Sequence, residues 1–203
     1  VRQVFGPASG ATLTVVRPTL VLQPDAASEI GRYFLGPLVY AAARLLPGAV
    51  ARLLPLPLPD LRVGFVHADD VADALVRMLD RRAAGPFNLS AEPLLDAEGL
   101  ARALGSRRVP VPAAALRPLV AAAFLAHVIP TEPGWFDLGI GAPALDTTRA
   151  RTLLDWQPAR RGDDVLARFV AALGAGEGAP GPLLTPAGGP RRDPADVPPP
   201  GAG

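Results

Sequence analysis

One junction constrains this 203-residue chain more than any other feature. A short apolar run, Val63 to Val66, passes through His67 and Ala68 into the acidic pair Asp69-Asp70 and then into a helical pattern. Val71, Leu75, Met78 and Leu79 fall at i, i+4, i+7 and i+8, which predicts one buried face on a helix reaching about Arg82. Asp70 is the expected N-cap, and Asp73 adds favourable charge to the first turn. A strand feeding directly into an amphipathic helix needs a sheet to cover the helix, so the fold class is α/β.

The rest of the chain repeats that alternation. Thr12 to Leu22 is rich in Val, Leu and Thr and reads as a strand that ends or bends at Pro18. Ala26 to Leu46 is expected to be helical, and Pro47 to Leu61 extended because of its repeated prolines. Gly85-Pro86 stops the central helix ahead of a short strand, Phe87 to Ser90. Asp96 to Leu104 predicts a helix with Gly105 past its end, and Ala113 to Ile129 a 17-residue apolar helix. Pro130 to Gly141 reads as turns. Asp146 or Thr147 caps a helix ending near Asp155, closed by Trp156 and Pro158. The last helix, Asp163 to Leu173, places Val165, Leu166, Phe169, Val170 and Leu173 on one side. Beyond it, 174–203 has no periodicity and is rich in Pro and Gly, which predicts a disordered tail.

Composition closes several routes. All 20 basic residues are Arg, against 19 acidic ones. The near-neutral balance gives no field to draw the chain to nucleic acid. Without Lys there is no Schiff base, Walker lysine or Tyr-Lys pair within the chain. Without Cys there is no thiolate nucleophile or zinc-Cys site, and His67 and His127 alone suggest no metal centre. His67 beside two carboxylates invites an acid/base role, yet an ordered histidine next to a helix start is the simpler reading. The segment Gly139 to Ala144 lacks the full glycine spacing of a phosphate loop. Arg81-Arg82, Arg107-Arg108 and Arg160-Arg161 read as solvated helix ends and turns. No membrane span is expected, because Arg and Pro interrupt the apolar stretch Leu35 to Leu58.

Four segments, in order, resemble the C-terminal half of the extended short-chain dehydrogenase/reductases, the NAD-dependent epimerase/dehydratase family. They are VVRPTLVLQP (Val15 to Pro24), FVHADDVADAL (Phe65 to Leu75), GPFNLS (Gly85 to Ser90) and DTTRARTLLDWQP (Asp146 to Pro158). The resemblance implies the C-terminal part of a Rossmann-type NAD(P)-binding fold plus a smaller substrate-binding domain. Residues 1–24 and 64–91 would supply strands and a helix of the Rossmann domain, and 25–63 and 92–173 the substrate-binding domain. The family's GxxGxxG fingerprint and Tyr-x-x-x-Lys pair would lie before Val1, so no catalytic residue is assigned here and this chain alone is expected to be inactive.

The implied cofactor is NAD or NADP, which Pro18, Thr19, Leu20 and Val21 would meet at the nicotinamide end, with backbone N–H groups offered to its carboxamide. Leu20, Arg62 and His67 would face the substrate, a small molecule with a hydroxyl or carbonyl group. Leu20 stands where sugar-nucleotide members often carry Asn, Gln23 replaces a Gly, and Arg62 lies one place from the family's diphosphate-binding Arg. These departures, with the apolar helix Ala113 to Ile129, suit an apolar substrate at least as well as a sugar nucleotide. Further expectations are a cytoplasmic location, compatibility with a homodimer, and no nucleic-acid or membrane partner. The rival readings are a non-catalytic dinucleotide- or protein-binding member of the fold, and a small membrane-associated protein.

Overall fold

The computed structural model describes residues 12–33 and 55–179. The expectations for 34–54 and for most of the C-terminal tail lie outside those residues. Two long extended segments organise what is described, and each changes partner partway along. The first runs as β1 (Thr14–Pro18) and β2 (Leu20–Leu22), with the change at Thr19. The second runs as β5 (Gly85–Leu89) and β6 (Ala91–Asp96), with the change at Ser90. β1 and β5 pair in parallel, Thr14 opposite Gly85 through Pro18 opposite Leu89. Beyond Thr19 and Ser90 the segments separate, and β4 (Arg62–His67) enters between them, parallel to β2 and antiparallel to β6.

Gly64 makes this fork possible. A Cβ at that position would sit 2.7 Å from both Ser90 Oγ and Thr19 Cγ2. No side chain fits in that space, and the β4/β6 register shifts between Val63 and Phe65.

β4 runs straight into α1 (Ala68–Asp80). The cap is His67 and not Asp70: its Nδ1 accepts from Asp69 N at 3.1 Å. The expected apolar face is also rotated. Ala74, Met78 and Asp70 are buried, Val71 is half-buried, and Leu75 and Leu79 are exposed. Periodicity counted only apolar residues, and the buried Asp70 shows which side turns inward.

Two cores result. In one, Val66, Ala74, Met78, Phe87 and Leu89 meet Ala150, Leu154 and Trp156 from α5 (Thr148–Leu154) and the turn after it. In the other, α6 (Gly162–Ala175) lays Val165, Leu166, Phe169 and Ala172 against Leu22, Ala27, Phe65 and Leu95. The stretch 148–156 thus packs on β5 and α1.

Several elements depart from the sequence reading. β6 was unforeseen because Pro93 interrupts its pattern, and so was the pairing of β3 (Leu56–Leu58) with β7 (Arg108–Pro110). Near the N-terminal end a 3-10 turn at Pro24–Ala26 precedes helical residues 27–33. α2 (Ala97–Ala103) begins as expected, Asp96 Oδ1 accepting from Gly99 N at 2.7 Å, and Gly105 follows it at φ +71°. At the C-terminal end α6 continues through Gly174 and Ala175, and Ser28 Oγ donates to Glu177 O at 2.6 Å. Residues 174 and 175, expected to open the tail, are therefore helical. No helix among the described residues is long and apolar enough to cross a membrane.

Candidate functional site

The fork opens onto a cleft of about 680 Å³. On the sheet side its wall is Pro18, Thr19, Leu20, Arg62, Val63 and Gly64, with Leu94 from β6. The opposite wall is a helical hairpin, α3 (Ala113–Leu125) and α4 (Pro133–Gly141), and the chain that follows it. These two are the most apolar of the described helices, yet neither contains a buried residue. A bidentate ion pair joins them, with Arg117 Nε and Nη2 each 2.9 Å from an Asp137 carboxylate oxygen. That pairing raises the Arg117 pKa, first through the hydrogen bonds and then through charge.

Thr19 marks the point where the strands part. Its N–H donates to Leu89 O at 2.9 Å and its hydroxyl lies 3.4 Å from Ser90 Oγ. The first of these bonds bears on cofactor contact. Of the four residues expected at the nicotinamide end, Pro18 has no N–H and the N–H of Thr19 is already donated. Pro18, Thr19 and Leu20 line the cleft, whereas Val21 does not. Nor does any described strand, glycine turn and helix form a cradle for a pyrophosphate. Gly139 and Gly141 lie inside α4. The described residues therefore do not fit a whole dinucleotide, and no cofactor step is derived from them.

Of the substrate-facing residues, Leu20 and Arg62 line the cleft and His67 does not. His67 is held at the start of α1, with Nδ1 3.5 Å from Asp69 Oδ2 as well as bonded to Asp69 N. The acidic pair beside it is a clamp. Asp70 is buried, and its carboxylate accepts from Ala159 N at 2.9 Å and Arg160 N at 3.4 Å. Its carbonyl accepts from Trp156 Nε1 at 2.9 Å, and Asp69 pairs with Arg160 at 2.9 Å. The bonds of Asp69 and Asp70 fasten the 156–160 segment to α1, which is a structural role for the acidic pair.

The DTTRARTLLDWQP segment is absorbed in the same way. Asp146 Oδ1 accepts from Thr148 N at 2.8 Å and Thr148 Oγ1 at 2.6 Å, which starts α5. Those bonds, the hydroxyl's first, hold the Asp146 carboxyl below its ordinary pKa. Arg149 donates to Ala84 O at 2.8 Å and lies 5.0 Å from the centre of the Phe87 ring. A second, smaller hollow beside Gln157 and Pro158 is rimmed by Arg151, Arg160 and Arg161. Each is paired, Arg151 with Glu92 at 2.5 Å, Arg160 with Asp69, and Arg161 with Asp163 at 3.0 Å. Among the described residues no group of His, Cys, Asp or Glu could hold a metal ion.

What sequence reasoning missed is one half of the far wall, α4; the apolar helix from Ala113 was expected, and it lines the cleft through Val120. Trp135, Phe136 and Leu138 lie in the stretch read as turns, where Gly134, Gly139 and Gly141 hid a helix. The available signal was Pro133, a good first helical residue, followed by closely spaced large apolar residues.

No family model matches the chain, and no curated protein does. Solved structures do. A nucleoside-diphosphate-sugar epimerase from Pseudomonas aeruginosa matches at TM-score 0.50 and 20% identity, over 81% of this chain and 49% of that one. UDP-N-acetylglucosamine 4-epimerase from Bacillus cereus matches at 0.49 and 13%, over 84% and 50%. RMD from Pseudomonas aeruginosa, complexed with NADPH, matches at 0.48 and 17%, over 83% and 50%. The chain spans about half the length of these structures. Over that span it has a Rossmann-like α/β fold.

Proposed function

We propose that this chain is the substrate-binding part of an NAD(P)-dependent epimerase/dehydratase-type oxidoreductase acting on a hydroxyl or carbonyl group. The observation that carries the reading is the cleft at the strand fork, where Pro18, Thr19 and Leu20 face the helical hairpin across about 680 Å³. A concave, mostly apolar site with a few polar groups at a point where strands separate is where an α/β protein holds a small molecule. In this reading residues 1–24 and 64–91 complete a Rossmann domain, while 25–63 and 92–173, apart from the stretch packed around Trp156, hold the substrate. This chain's residues shape the substrate wall and exclude water from it.

Calorimetric titration with NAD and NADP tests the reading. The protein expressed from its natural reading frame, with any residues that precede Val1, is expected to bind one of them at micromolar concentration, and Val1–Gly203 alone neither. Binding by the short chain would mean that the cofactor site is misplaced. No binding by the natural protein would favour a protein-binding module.

A further inference from the structure

The cleft has a charge pattern that separates two classes of substrate. Among its described lining residues only Arg62 and Glu132 are ionisable, so their formal charges cancel. Among the described residues Arg62 has no side-chain hydrogen-bond or ion-pair partner. A nucleoside diphosphate sugar brings two negative charges and a sugar covered in hydroxyls. Holding its diphosphate takes several cationic donors or a fan of backbone N–H groups. The helix end nearest the cleft offers neither. Glu132 stands at the N-cap of α4 with no side-chain cap bond, Pro133 lacks an N–H, and Trp135 N donates to Glu132 O at 3.0 Å. A carboxylate at that end repels the anion that a bare helix N-terminus would attract. The rest of the lining is mainly hydrocarbon and aromatic, with Leu20, Leu94, Trp135 and Leu138 on its two sides.

Building on the substrate-site reading of this cleft, we propose that it binds an uncharged apolar ketone or secondary alcohol and not a nucleoside diphosphate sugar. The oxygen accepts from the Arg62 guanidinium, and the hydrocarbon body lies between Leu20 and Leu94 on one side and Trp135 and Leu138 on the other. A single unpaired donor at the edge of an apolar cleft orients one oxygen. It does not compensate a diphosphate.

Tryptophan emission reads the occupancy directly. Trp135 lines the cleft and is 53% exposed, whereas Trp156 is fully buried and gives a constant background. Val1–Gly203 would be titrated with octyl, decyl and dodecyl methyl ketones, with testosterone as a rigid ketone, and with UDP-glucose. The ketones are expected to change the emission saturably, tightening about fourfold per added methylene along the straight-chain series. Testosterone separates a rigid polycyclic ligand from a flexible chain, and saturable binding of either kind supports the proposal. UDP-glucose is expected to leave the emission unchanged at millimolar concentration, and Trp135→Phe to abolish the response.

Leu20→Glu, at an exposed position, should weaken ketone binding about tenfold or more with an unchanged melting temperature. Arg62→Gln should weaken it about threefold to tenfold without altering the increment per methylene. Tighter binding of UDP-glucose than of any ketone would overturn the apolar assignment while leaving the oxidoreductase reading intact, since cofactor titration tests that separately. Failure of every ketone, including through occupation of the cleft by the chain's own residues 34–54, would overturn it too.

Discussion

Trp156 is fully buried and Trp135 keeps 53% of its surface exposed, although both lie in apolar sequence at the margin of a short helix. Around Trp156 every large side chain has a partner: the indole N–H bonds Asp70 O, and Phe87, Leu89 and Leu154 fill the space beside it. Around Trp135, the α3–α4 hairpin buries none of its residues, and its inner side is the wall of a cleft. Hydrocarbon that is packed contributes stability, while hydrocarbon left facing a cavity remains available to a ligand. The comparison predicts that substitutions near Trp156 act on folding and those near Trp135 on binding.

The largest effect should come from Trp156→Ala, which removes a fully buried side chain together with the indole bond to Asp70 O. About 3 to 5 kcal/mol of stability should be lost in urea titration. Asp70→Ala should follow at roughly 1 to 3 kcal/mol, because the Ala159 and Arg160 N–H groups lose their acceptor. That substitution leaves the Trp156 indole bond in place, since it is made to the Asp70 carbonyl. Gly64→Ala should cost about 1 to 3 kcal/mol through the forced shift of Thr19 and Ser90. It should also narrow the cleft mouth, which slower ketone association would reveal. Across the divide, Leu138→Ala should change stability by no more than about 0.5 kcal/mol, since Leu138 is 60% exposed. A large loss there would erase the contrast.

The smallest effect is one of pH. The Thr148 hydroxyl and N–H hold the Asp146 carboxyl below its ordinary value. A carboxyl with a depressed folded pKa contributes stability that is complete above its unfolded pKa and fades as pH falls through the folded one. The melting-temperature gap between wild type and Asp146→Ala should therefore be widest near neutrality and close below about pH 4.

Much of the fold was legible because strand-to-helix junctions leave strong marks in sequence. The β4–α1 unit, the short strand at Phe87, the helix starting at Asp96 and the inward face of α6 all follow from short-range rules. The cap of α1 was misplaced because three polar residues within four positions, His67, Asp69 and Asp70, compete for it. Backbone geometry, which composition does not encode, gives it to His67. Leu75 and Leu79 were expected inside and lie outside for a related reason. Asp70 takes a buried position through long-range bonds to residues 159 and 160, and no local pattern foretells those bonds. The strand exchange at Thr19 and Ser90 was equally hidden, since a partner change leaves an extended run looking uniform. Of the site, the wall carrying Pro18, Leu20 and Arg62 was named from sequence. On the opposite wall the helix from Ala113 was named too, but α4 with Trp135 and Leu138 was not, because three glycines masked it.

Amide hydrogen exchange, followed by mass spectrometry with and without decyl methyl ketone, tests the contrast between packed and ligand-facing hydrocarbon most directly. Peptides covering β5, α1 and α5 should exchange slowly in both conditions, near the limit set by global unfolding. Peptides covering α3 and α4 should exchange fast in the free protein and slow down when the ketone is present. Strong protection of α3 and α4 without ligand, or rapid exchange that the ketone leaves unchanged, would contradict the account.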